Sequence, residues 1–131
     1  MLTITEVREE LDLIIEKIPE EILRGLNGGI ILLPDIKLHP KSAKRDYYIL
    51  GEYHFDPNGF GRYIVIYYGS FRLTHGFLSE TEQIKKLEEI LYHELTHHIE
   101  HLAGDVSLEI KDAEDFAKYL RRYKHKGENG D

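Results

Sequence analysis

Along the 131-residue chain, apolar positions recur every three or four residues in some stretches and run together in others. After Thr5, a residue suited to cap a helix, Val7, Leu11, Ile14, Ile15 and Ile18 mark a first helix as far as Pro19. Pro19-Glu20-Glu21 then opens a second, short helix, with proline in its first turn and acidic residues at its positive end, which should close between Gly25 and Gly29. Ile30 to Leu33, stopped by Pro34, reads as a short buried strand, and Asp35 to Arg45 as a loop. Tyr47 to His54 reads as a second strand, ended by the turn residues Asp56-Pro57-Asn58-Gly59. Arg62 to Tyr68 has the strongest β character in the chain and should close at Gly69-Ser70-Phe71.

The longest amphipathic stretch follows, from Ser79 to Ala103. Ile84, Leu87, Leu91, Leu95, Ile99 and Leu102 form one stripe at about 100° per residue, as in a helix packed on a core. Ser79 and Glu82 have the spacing of a capping box, and Gly104 ends the helix. A last helix is expected from about Asp112 to Tyr123, with Phe116, Tyr119 and Leu120 inward, before a polar tail from Lys124 to Asp131. These elements predict a single α+β domain over residues 1–123: a short twisted sheet of about three strands on the long helix, with N- and C-terminal helices flanking it. No repeat or low-complexity tract interrupts it.

The long helix also carries chemistry. His93-Glu94-Leu95-Thr96-His97 has the H-E-x-x-H spacing of zinc-dependent hydrolases. In a chain with 8 histidines and 16 glutamates, chance alone gives this pattern in roughly one such sequence in twenty, so its placement matters more than its presence. The motif falls mid-helix with both histidines off the apolar stripe. Their imidazoles rise from successive turns, about 5–6 Å apart at Cβ, and can close on one ion. Glu94 lies about 100° round from His93, beside such an ion, where it can take a proton from a zinc-activated water and pass it on. His98 lies near the stripe and reads as a core histidine. His101 is two turns from His93, about 12 Å away and too far to share a tetrahedral ion. His39, His54, His75 and His125 suit solvated or local roles, and Tyr67 or Tyr68 could donate to an oxyanion.

Composition narrows the classes. The formal charge is −7 and no basic stripe is present, which argues against a nucleic-acid partner. The chain has no cysteine, so disulfides and thiolate ligands are excluded. The first residues are neither basic nor strongly apolar, and no run of 18 apolar residues occurs. The expectation is a soluble cytoplasmic protein without a membrane segment.

The residues Arg24-Gly25-Leu26, Leu50-Gly51-Glu52-Tyr53, Gly61 to Phe71 and Leu91 to Gly104 together resemble the small bacterial zincin-like metallopeptidase family, over about residues 22–120. The resemblance implies a minimal zincin domain, zinc held by His93 and His97, and a peptide or protein substrate aligned by an edge strand, for which Tyr63 to Tyr68 is the candidate. One pattern differs. Minimal zincins and metzincins continue as H-E-x-x-H-x-x-G-x-x-H/D, whereas this chain has Glu100 at the glycine position and Ala103 at the ligand position. The third ligand must therefore come from elsewhere. Asp112, opening the last helix, is favoured over Asp105, Glu109 and Glu114, although with Asp115 it could equally cap that helix. The expected function is zinc-dependent peptide hydrolysis with Glu94 as general base. The alternatives are a zincin-shaped binding or regulatory module without turnover and a structural domain with an exposed histidine-rich helix.

Overall fold

A computed structural model describes residues 1–42, 44, 46–104 and 110–127, with backbone only for 110, 111 and 122–127. Helix α1 spans Ile4–Glu16. Its cap is Thr3 and not Thr5: the Thr3 hydroxyl accepts from the Glu6 amide at 3.1 Å, and the Glu6 carboxylate accepts from the Thr3 amide at 2.8 Å. The reciprocal pair satisfies two backbone donors, which a cap at Thr5 would leave open. Val7, Leu11 and Ile14 are buried along α1 as their spacing predicts. Helix α2 is a single turn, Glu20–Leu23.

Three strands follow: β1 (Gly29–Leu33), β2 (Gly51–Asp56) and β3 (Gly61–Tyr67). The sheet order is β1-β3-β2, with β1 parallel and β2 antiparallel to β3. In register, Gly29 faces Tyr63, and Gly51 faces Ile66. The expectation that Tyr63 to Tyr68 forms the edge strand is therefore overturned. β3 is hydrogen-bonded on both sides, and Ile64, Val65, Ile66 and Tyr67 are buried, as suits a central strand. The second strand also starts later than its composition suggests. Tyr47 and Ile49 instead bond His39 and Lys37 across the Leu38–Tyr48 bridge. Gly61, with φ of 73°, turns the chain from the β2–β3 hairpin into β3.

β3 does not close at a turn but leads straight into a helix, α3 (Tyr68–His75). At its first turn Gly69 lies against backbone: an added Cβ would fall 2.7 Å from the carbonyl oxygens of Pro34 and Asp35. The Ser70 hydroxyl accepts from the Lys37 amide at 2.8 Å.

The long helix α4 (Glu80–Gly104) starts at the expected capping box, where the Ser79 hydroxyl accepts from the Glu82 amide at 3.2 Å. Leu87, Leu91, Leu95, Ile99 and Leu102 are buried. All but Leu102 join Val7, Leu11 and Ile14 of α1 and Ile64 and Ile66 of β3 in one core. Helix α5 (Ile110–Gly127) packs along α4, with Leu120 buried and Tyr92 meeting Tyr119 edge to face. No described helix is long and apolar enough to cross a membrane.

Candidate metal centre

Helical spacing separates α4 into faces. One face is the buried stripe, and a neighbouring face lies along β2. His93 and His97 fall beyond β2 on the exposed side, with ring centroids 4.9 Å apart and planes at 84°. Two imidazoles bound tetrahedrally to one zinc at about 2.0–2.1 Å have ring centres about 5 Å apart, so the pair is already spaced for a shared ion. The His97 Nδ1 hydrogen donates to the Glu100 carboxylate at 3.2 Å.

Glu94 lies between this pair and the sheet in the helix's sequence of faces and is only 6 % exposed. What admits it there is Gly51. A Cβ on Gly51 would fall 3.3 Å from Glu94 Cγ, 3.1 Å from Ile90 Cγ2 and 3.3 Å from Ile66 Cδ1. The carboxyl thus lies against the start of the edge strand without a side chain between them. Burial pushes its pKa up to about 7; His97 opposes the shift, and the Glu52 charge adds to it. A carboxyl with that pKa exchanges protons near neutral pH in the metal-free protein.

Glu52, the next residue of β2, is a hub. Its Oε1 accepts from Tyr67 Oη at 2.6 Å, Lys37 Nζ at 2.9 Å and His54 Nε2 at 3.0 Å. Burial pushes the Glu52 pKa up, but these three donors together outweigh it and hold the group below the usual carboxylate range. Tyr67 is therefore committed to Glu52, while Tyr68 Oη donates to the Leu2 carbonyl at 2.6 Å. Tyr67 and Tyr68, either of which could have served as an oxyanion donor, thus both bond within the fold.

His98 is a core histidine, as its position on the helix predicts, and it makes two hydrogen bonds. Nε2 lies 2.9 Å from the Arg24 carbonyl, which can only accept, so Nε2 carries the proton. Nδ1 then accepts from Tyr53 Oη at 2.8 Å. Burial holds the ring neutral by lowering its pKa. The residue next to His97 thus locks α4 to β2 and to the segment after α2. His101, set aside as a ligand, accepts from Arg62 Nε at 3.1 Å and packs on Phe55.

Asp112 is exposed in the first turn of α5 and is not brought to His93 and His97. Among the described residues no group of three or more His, Cys, Asp or Glu side chains could hold a metal. Asp105 and Glu109 lie outside the described residues. The pattern reading had no place for Gly51 as the seat of Glu94 or for Tyr53 as the partner of His98. The only local signal was a glycine inside an otherwise β-rich run.

No family model matches the chain, and no curated protein matches it. Among solved structures it is similar to a conserved hypothetical protein from Thermus thermophilus. The two are 33 % identical with a TM-score of 0.67, over 79 % of this chain and 99 % of the other. The chain belongs to that protein's family. The likeness takes in nearly the whole of that protein.

Proposed function

We propose that this protein is a zinc-dependent metallopeptidase. The observation that carries the reading is the arrangement on α4: two imidazoles 4.9 Å apart on the exposed face, and between them in sequence a carboxyl buried against Gly51 of the edge strand. His93 and His97 would hold the ion, completed by an acidic residue that follows α4; Asp105 and Glu109 are the candidates, since Asp112 is not brought to the pair. When bound, zinc would supply Lewis acidity and lower the pKa of a water in its open position.

The remaining steps belong to the chain. Glu94 accepts a proton from the attacking water as the O–C bond to the peptide carbonyl forms. It then gives that proton to the nitrogen as the C–N bond breaks, leaving a carboxylate and an amine. Burial raises the Glu94 pKa in the metal-free protein, and a bound cation would lower it again, favouring the charged form that takes the proton. β2, at the edge of the sheet and beside Glu94, takes the substrate-aligning role first expected of Tyr63 to Tyr68. An extended peptide can add to such an edge through backbone hydrogen bonds.

The test is hydrolysis of a quenched-fluorescence peptide library by zinc-loaded protein and by Glu94→Gln. The proposal expects cleavage by the first and at least a hundredfold less by the second at equal zinc content. A second reading, a metal-binding module without turnover, draws on the lack of a third ligand among the described residues. Zinc bound without any cleavage would favour it.

A further inference from the structure

The position that departs from the minimal-zincin pattern has a structural use. Where that pattern carries glycine, this chain carries Glu100, on the same exposed face of α4 as His93 and His97 and one turn beyond His97. Its Oε1 lies 3.2 Å from His97 Nδ1. A carboxylate only accepts, so the proton sits on Nδ1 and the lone pair of His97 is on Nε2, the nitrogen farther from Glu100. Glycine at this position could do neither.

We propose that Glu100 is a positioning residue: its carboxylate fixes the tautomer and ring orientation of His97 so that Nε2 is presented to a divalent metal. The inference rests on His93 and His97 holding zinc. In the metal-free protein the bond contributes little, because both side chains are well exposed, His97 by 47 % and Glu100 by 65 %. With a cation on Nε2 the ring becomes a stronger donor at Nδ1, and the bond then matters. Carboxylate partners of metal-bound histidines commonly contribute tenfold to a hundredfold in metal affinity, and the exposure here points to the lower figure.

The experiment measures zinc affinity by competition with a chromophoric chelator for the full-length wild type, Glu100→Ala and Glu100→Gln, with the His97 tautomer read from nitrogen-15 NMR of the zinc-free proteins. The expected result is about tenfold weaker zinc binding by Glu100→Ala, a smaller loss for Glu100→Gln, whose amide oxygen still accepts from Nδ1, and equal thermal stability of all three without metal. The wild-type ring should carry its proton on Nδ1 and the alanine variant should shift toward Nε2. Equal affinities, or an unchanged tautomer, would overturn the proposal while leaving the metal site intact. Loss of more than a thousandfold in both variants would also overturn it, by showing that the carboxylate itself ligates the metal. A wild type that binds no zinc would overturn the metallopeptidase reading and this inference with it.

Discussion

Replacing Glu94 with Gln should make the metal-free protein more stable above neutral pH, an effect that separates the energetics of the site from its activity. The carboxyl is buried, and its pKa rises from 4.5 to about 7 in the fold. Between those values the folded state binds more protons than the unfolded chain, so stability falls as pH rises through that window, and above about pH 7 the full penalty stands. At 1.36 kcal/mol per pKa unit the penalty reaches at most about 3 kcal/mol. Glutamine keeps the shape and does not titrate. Urea unfolding of both proteins in chelator at pH 5, 6, 7 and 8 should give a stability difference that grows with pH in favour of the variant and levels off above pH 7. A variant less stable than wild type at pH 8, or a difference that does not change with pH, would refute the burial argument. Saturating zinc should shrink the gap, because a cation beside Glu94 favours its charged form.

Three further outcomes follow from the same geometry. Gly51→Ala places a methyl 3.3 Å from Glu94 Cγ and 3.1 Å from Ile90 Cγ2, so it should displace the carboxyl and cut hydrolysis more than tenfold while zinc content, measured by elemental analysis, stays at the wild-type level. Tyr53→Phe removes the donor to His98 Nδ1 and should destabilise the fold by about 1–3 kcal/mol in urea unfolding, the cost of leaving a buried polar atom unpaired. The Glu52 pKa is held down in the fold, so its stabilising contribution is complete above the unfolded value of 4.5 and is lost as pH falls below it; Glu52→Gln should flatten the acid limb of the stability profile between pH 5 and 3.

The long helix was legible because its apolar stripe has a clean helical period and its cap a two-residue signature, and both lie within or directly before α4 itself. The histidine pair was legible for the same reason, since i and i+4 on one helix must be neighbours. The start of α3 was not. Tyr68-Gly69-Ser70-Phe71 has a β-rich and turn-like composition, and it turns helical where Gly69 meets the backbone of Pro34 and Asp35 and Ser70 bonds Lys37, partners more than thirty residues away. The edge strand was misplaced although the sign was present: four consecutive buried residues, Ile64 to Tyr67, suit a strand covered on both faces, whereas β2 carries Glu52 and His54 among its apolar positions. The burial of Glu94 depends on Gly51, forty-three residues earlier, and no local pattern connects the two.

The central claim is that α4 holds a metal. Elemental analysis of the untagged wild type beside a His93→Ala/His97→Ala variant, purified identically, tests it most directly. The account predicts about one zinc per wild-type chain and none in the variant. No metal in either protein, even after incubation with zinc, would contradict it.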